Sequence, residues 1–247
     1  MTAKLIIVMV HLPLHPSPQV KILTFSCSAP QGVSGSGKST LAKNIADRLG
    51  FPFIDGDDYH PRSNVEKMSR GEALDDQDRF PWLSHLREVG ISKLEEEARR
   101  RSDQNEDEGA ADAEKGVGLV LGCSSLKGSY RQILRGVLKV ERTSSVVHPE
   151  EVAYRLQEVD KETSPGSPLP QTCFVWIKGD KETLRDRLEK RQNHFFKAEM
   201  LDSQFEALEP PEGEPGVVVV PLGPSTQEQT EIALEGLMAS NDSRTAP

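Results

Sequence analysis

Apolar positions in this chain fall into two alternating rhythms. "VGLVLG" and "TCFVWIKG" are near-continuous apolar runs, the pattern of strands buried on both faces, and "GVVVV" reads as a further strand. Between them, "KSTLAKNIADRLG" sets Leu41, Ile45 and Leu49 four apart, which predicts an amphipathic helix with Gly50 past its end. "FPFID" reads as a short strand closed by the polar turn "GDDYHP", and "NVEKMSRG" as a short helix. A longer helix runs through "RFPWLSHLREVGISKLEEEARRR", with Asp78 as its N-cap and Pro81 near its first turn. "LKGSYRQILRGVLK" is helical in period, "KETLRDRLEKRQ" is a charged helix with Leu184 and Leu188 on one face, and "KAEMLDSQFEAL" is a further helix. The terminal helix, "STQEQTEIALEGLMAS", opens on a capping box, Ser225 with Glu228. Strands alternating with helices predict an α/β fold with a five-stranded parallel sheet flanked by helices.

Three stretches interrupt this rhythm. "RSDQNEDEGAADAEKG" (residues 101–116) is acidic and lacks bulky apolar residues, so a solvated, disordered insertion is expected. Residues 141–171 hold a helix-compatible run, "HPEEVAYRLQEVDKE", and a loop, "TSPGSPLP"; residues 240–247 read as a tail. The third stretch is the opening. Two strand-like runs, Leu5–Val10 and Val20–Cys27, precede a Gly-rich loop that needs one strand ahead of it.

The chain of 247 residues is read as one domain. No apolar run approaches the ~20 residues that cross a bilayer. Three cysteines, unevenly spaced, give neither a disulfide framework nor a metal-ligand pattern, and a cytoplasmic compartment is the default. A net charge of −9 argues against general nucleic-acid binding but leaves room for a local basic cleft.

Gly32, Val33, Ser34, Gly35, Ser36, Gly37, Lys38, Ser39 and Thr40 match G-x-x-x-x-G-K-[ST] with its threonine. Glycines let the backbone curl so that successive N–H groups point at one phosphate, and the helix begun at Lys38 adds its positive end. Lys38 can reach the β- and γ-phosphates of ATP, and the Ser39 hydroxyl can ligate Mg²⁺. No guanine-reading N-K-x-D is present. In small phosphotransferases of this kind the acceptor pocket follows the second strand, here "DGDDYHPR". Asp55 and Asp57, two apart in extended chain, point the same way, one to take a proton and the other to orient a Mg²⁺ water. "RDRLEKRQ" resembles the start of the lid in nucleoside-monophosphate kinases. There Arg187 and Arg191, at i and i+4, would face the transferred phosphoryl group.

Together, "GVSGSGKST", "DGDDYHPRSNVEKMSRGEALDDQDRFPWL", "CSSLKGSYRQILR", "IKGDKETLRDRLEKRQNHFF" and "QFEALEPPE" resemble the small P-loop gluconokinases, in family order and over about half the chain. The resemblance implies a nucleoside-monophosphate-kinase-like fold with a lid, ATP-dependent phosphorylation of D-gluconate at its 6-hydroxyl, Mg²⁺, and a homodimer. It makes Asp57 the base, with Asp55 supporting Mg²⁺. His60 and Arg62 would line the acceptor pocket, Arg62 as the carboxylate partner. Lys127 and Arg131 would direct basic groups at carboxylate or phosphates, and Arg187, Arg191 and His194 would belong to the lid. Trp82 and Met68 are read as core. Ser125, Gly128 and Gln132 depart from the usual Ala, Lys and Asp, with minor effect expected. Two other readings stay open: a related small-molecule kinase of the shikimate type, and a nucleotide-binding chain made inactive by its opening stretch.

In the family the first strand runs straight into the phosphate loop, as "LIIVM" followed by "GVSGSGKST" would. Here Val10–Gln31 intervene. They are either a genuine insertion or a translated intron: Val codons begin GT, a Gln codon can end AG, and Leu23–Thr24 can encode a branch-site-like sequence. Leu5–Met9 is the expected first strand of the sheet, and on the intron reading Val10–Gln31 loop out.

Overall fold

The computed structural model describes residues 2–11, 37–105, 117–144, 152–159, 171–180, 182–184, 186 and 206–242. The elements are β1 (Thr2–His11), α1 (Lys38–Leu49), β2 (Phe53–Asp55), a 3₁₀ turn (Gly56–Tyr59), α2 (Arg62–Ser69) and α3 (Asp76–Asn105). There follow β3 (Val117–Gly122), α4 (Gly128–Arg135), β4 (Leu138–Ser144), β5 (Val152–Glu158), β6 (Gln171–Gly179), β7 (Val217–Pro221) and α5 (Thr226–Asp242).

Five strands form one sheet in the order β2-β3-β1-β6-β7, while β4 and β5 make a separate two-stranded ribbon. Alternation along the sheet builds two cores. Val120, Cys173, Val175 and Ile177 face α1 and α5, where Leu41, Ile45, Ala233 and Leu237 close the layer. Leu119, Leu121, Phe174 and Trp176 face α3 and α4, against Trp82, Leu83, Leu86 and Ile133. β3 is buried at every position, as its apolar run predicts. On α1, Leu41, Ala42 and Ile45 are fully buried, and burying a Leu or Ile contributes about 1.5–3 kcal/mol. Gly50 closes that helix with φ +66°, and Ser225 and Glu228 form the predicted reciprocal cap on α5.

Several local expectations are corrected. The cap of α3 is Asp75, not Asp78: the Asp75 carboxylate accepts from the Asp78 N–H at 3.0 Å, and Asp78 answers by accepting from the Asp75 N–H at 2.9 Å. The same helix runs on to Asn105, into the stretch read as an acidic insertion. The helix through "LKGSYRQILRGVLK" ends at Arg135, where Gly136 turns left-handed, and Leu138 already belongs to β4. "VAYRLQE" is a strand rather than a helix. Tyr154 and Leu156, two apart, lay their side chains on the α3 side of the core, and seven facing pairs join β4 to β5. Local helical period lost to pairing and one-sided burial. The helices expected over "KETLRDRLEKRQ" and "KAEMLDSQFEAL" lie largely outside the described residues; within the first, Leu184 is buried.

The larger correction concerns the sheet. Leu5–Met9 do occupy its centre, but β1 runs antiparallel to both neighbours, so the sheet is mixed rather than all parallel. β2 pairs with β3, and β6 with β7, in parallel. Val10 and His11 are strand residues, opposite Gly118 and Val117, and His11 therefore ends at the edge away from Asp55, which pairs with Gly122. Val20–Cys27 and the rest of the intervening stretch lie outside the described residues.

This direction couples strand and insertion. The chain must travel back along the sheet, about 20 Å at roughly 3.3 Å per residue, before α1 begins. Residues 12–36 suffice for that return. Joined directly to Met9, Gly32–Ser36 would be too short both to return and to curl around a phosphate, so β1 in a chain lacking Val10–Gln31 would have to run parallel. Because Ala3 stands opposite Lys178, Ala3→Cys with Lys178→Cys should form a disulfide on mild oxidation of the full chain. The same pair should fail to cross-link in the Val10–Gln31 deletion, as read by non-reducing peptide mapping. Equal cross-linking in both would break the link between insertion and direction.

Candidate active site

The described part of the phosphate loop begins at Gly37; Gly32, Val33, Ser34, Gly35 and Ser36 lie outside it. Gly37 stands at the head of α1 with φ +76°, a left-handed conformation that glycine adopts at least cost, and its carbonyl accepts the Leu41 N–H at 2.8 Å. Lys38 and Ser39 thus form the first turn of a helix whose inner face is locked into the core, while Thr40 is exposed.

The acceptor turn comes from the end of β2. Asp55 is extended, but Asp57 lies in the 3₁₀ turn, so the two do not project from one extended segment as expected. They converge by another route. The Asp55 carboxylate accepts from the Asp57 N–H at 3.1 Å and from the Ser39 hydroxyl at 2.9 Å, while Lys38 Nζ lies 3.1 Å from Asp57 Oδ2. Lys38 is only 4% exposed, so its ion pair is largely shielded from water.

Packing holds this turn. A Cβ at Gly56 would lie 2.7 Å from the Gly122 carbonyl oxygen, so only glycine lets the turn sit on the end of β3. The Trp82 indole N–H donates to the Gly56 carbonyl at 3.0 Å, and the His60 ring stacks on Trp82 with centroids 4.0 Å apart. Trp82 is core, as expected, and Met68 is half-buried. Burial pushes the His60 imidazole down to about 3; Asp57 opposes the fall, and Arg79 and Lys38 add to it. Asn64 Nδ2 lies 3.3 Å from His60 Nδ1 and donates to the Asp78 carbonyl at 3.0 Å, which joins α2 to α3 behind the turn.

The expected substrate residues divide. Lys127 faces a cavity of about 380 Å³ between the start of α3 and the β3–α4 loop, where its ammonium pairs with Asp76 at 2.7 Å. Arg62 is not among the residues lining this cavity: its side chain is 92% exposed and bonded to Glu66 one helical turn on, a contact worth only tenths of a kcal/mol. Arg131 is buried, and its bonds run to groups of the fold itself. Its guanidinium bonds to the carbonyls of Ser125 and Leu126, both at 3.1 Å, and to the Glu214 carboxylate, which Arg135 also holds. Burial alone would raise Glu214, yet the bonds from Arg131 and Arg135 hold it below its ordinary value. Arg131 is therefore a clamp that ties the β3–α4 loop to the approach to β7. Arg187, Arg191 and His194, the expected lid residues, lie outside the described residues.

Three residues gained no role from the sequence although two stand in its most specific motif. Asp76 accepts from Lys127 and from the Tyr130 hydroxyl, and the two bonds outweigh the upward push of burial on its carboxyl. Arg79, 5% exposed, donates to the Leu74 carbonyl at 3.3 Å and the Ser124 hydroxyl at 3.4 Å. The available signal was the density of ionic residues in "DDQDRFPWL", on the first turns of a helix that buries its next residues.

The oxygen pair Ser39–Asp55 beside a P-loop lysine suits a hard cation such as Mg²⁺, which takes few protein ligands and completes its shell with water and phosphate oxygens. Among the described residues no helix is long and apolar enough to cross a membrane.

Comparison with known proteins agrees with this geometry. A family model described as shikimate kinase matches residues 34–89, from the phosphate loop into α3. A probable gluconokinase of Schizosaccharomyces pombe is 32% identical over 219 residues, 89% of either chain. The thermoresistant gluconokinase of Escherichia coli K12 is 35% identical over 210 residues, 85% of this chain and 87% of the relative. A probable gluconokinase of Xenopus tropicalis is 40% identical over 182 residues, 73% of this chain and 76% of its own. Among solved structures, a gluconokinase from Sinorhizobium meliloti 1021 superposes with a TM-score of 0.56 at 31% identity, covering 87% of this chain and 94% of that one. With identities above 30% across most of both chains, this kinase chain belongs to the gluconokinase family.

Proposed function

We propose that the chain transfers the γ-phosphoryl group of ATP to the 6-hydroxyl of D-gluconate, giving 6-phospho-D-gluconate and ADP. The observation that carries this reading is the convergence of Lys38 and Ser39, at the start of α1, with Asp55 and Asp57, at the end of β2. Asp57 takes the proton of the attacking hydroxyl. The His60 ring, stacked on Trp82, holds the turn rather than moving the proton. Lys38 exchanges part of its contact with Asp57 for the phosphoryl oxygens, so that charge developing in the transition state meets a cation already in place. Ser39 and Asp55 would hold Mg²⁺, which would supply positive charge to offset that of the phosphates. The lid formed by Arg187, Arg191 and His194, the cytoplasmic setting and the homodimer belong to the same reading.

A second reading, nucleotide binding without turnover, is favoured by the reversed direction of β1, since Gly32–Ser36 are then entered from a return segment rather than from the strand itself. A coupled ADP-release assay separates the two. The full chain and the Val10–Gln31 deletion are each given gluconate and, as a control acid, shikimate. Gluconate-dependent ADP release by the full chain supports kinase activity. Release by the deletion alone, with ATP still bound by the full chain in calorimetry, supports the second reading.

Lys38→Ala should lower kcat by about 10²–10³-fold, because it removes charge stabilisation in the transition state. Asp57→Asn should lower kcat by about 10²–10⁴-fold with ATP affinity changed only a few-fold; an unchanged kcat would remove Asp57 from the base role. His60 also makes a pH prediction. Its folded-state value lies below the ordinary 6.5, so between about 3 and 6.5 the unfolded chain binds a proton that the folded chain refuses. This group's contribution is complete above pH 6.5 and is lost as pH falls towards 3. The stability of a His60→Asn variant, followed by chemical denaturation, should decline less steeply over that window.

A further inference from the structure

Among the described residues Arg79 is a buried cation without an anion in contact. Its two hydrogen bonds to them go to neutral oxygens, the Leu74 carbonyl and the Ser124 hydroxyl. The neighbouring carboxylates are engaged elsewhere: Asp75 and Asp78 with Lys67, and Asp76 with Lys127 and Tyr130. Among the described residues none forms an ion pair with Arg79, although all three act on it at longer range. Burying an uncompensated guanidinium is costly, and burial accordingly pulls Arg79 below its ordinary value. A structure that tolerates this at one point leaves a place for an anion brought from outside.

The place is the cavity of about 380 Å³ lined by Leu74, Asp76, Arg79, Leu126, Lys127 and Tyr130. Its volume lies within the roughly 300–1,000 Å³ usual for small-molecule sites. It also lies beside the acceptor turn. Ser124 follows the end of β3, where Gly122 pairs with Asp55, and Arg79 acts on the His60 ring together with Asp57 and Lys38. The walls have two kinds of chemistry. Arg79 and Lys127 are cations suited to a carboxylate, while Asp76 and Tyr130 suit hydroxyl groups.

We propose that Arg79 reads the carboxylate of the substrate, a polyhydroxy acid whose hydroxyls lie along Asp76 and Tyr130 while its far end reaches Asp57. This rests on the gluconate kinase reading above and deepens it. The carboxylate role moves from Arg62, whose exposed guanidinium is satisfied within its own helix, to Arg79. A guanidinium offers a fork to both oxygens of the carboxylate, and the arriving anion supplies the counter-charge that the fold lacks. Lys127 is then a second, shared cation, drawn partly from Asp76 when the acid enters.

The test compares D-gluconate with D-gluconamide, which keeps every hydroxyl and replaces the carboxylate by a neutral amide. Binding is measured by calorimetry on the full chain, and turnover separately. The unsubstituted chain should prefer gluconate. In Arg79→Gln that preference should fall by about 10- to 100-fold, with ATP affinity unchanged, since a hydrogen bond to a charged group typically carries that much. Arg79→Lys keeps the charge but loses the fork, and should lose several-fold; it carries the test if the Gln variant does not fold. A ratio unchanged in both variants, or no binding of gluconate by the unsubstituted chain, overturns the role of Arg79. Arg79-dependent gluconate binding without turnover upholds that role and fails the kinase reading; turnover with an Arg79-independent ratio does the reverse.

Discussion

The structure hinges on the contact between the first turn of α1 and the turn that follows β2. Lys38 meets Asp57 and Ser39 meets Asp55, which brings the end of the P-loop and the turn after β2 within one hydrogen bond of each other. Each has its own anchor. α1 is fixed by Leu41, Ala42 and Ile45, buried against the sheet and α5. The acceptor turn is fixed by the missing Cβ of Gly56 and the indole of Trp82. Because both anchors are packed cores, the four polar side chains between them meet without having to order themselves.

Around this contact the basic residues sort by burial. Exposed Arg62 is spent on its own helix. Buried Arg131 is saturated by two carbonyls and Glu214, and so serves the architecture. Lys127 and Arg79 border a cavity, one already paired and the other lacking an anion. Charge alone does not separate these four in sequence. What separates them is the number of bonding positions that the fold has already filled.

The sheet illustrates the same limit. β3 and β6 were legible because strands buried on both faces must be apolar throughout, β7 because its valines favour a strand although Val219 is exposed at the sheet edge, and α1 because its apolar spacing fits one face of a helix. "VAYRLQE" misled, since an apolar spacing of two and a helical period overlap in a short polar segment; only pairing with β4 across Val140–Leu156 chose between them. β1 was placed correctly at the centre, but its direction was not readable. A strand's side-chain alternation is the same in either direction, and the choice depends on the length of chain available to reach the next element.

The sequence by itself determined the local chemistry: the glycine-lysine-serine loop, the aspartates after β2, the buried strands and the capped terminal helix. Each is fixed by contacts within a few residues or by composition. The tertiary structure decided the rest, namely the reversed β1 and which cations remain available to a ligand. Those depend on partners brought together from distant segments. Arg79 is the clearest case, since its 5% exposure and its neutral partners Leu74 and Ser124 exist only once α3 is docked on the end of β3.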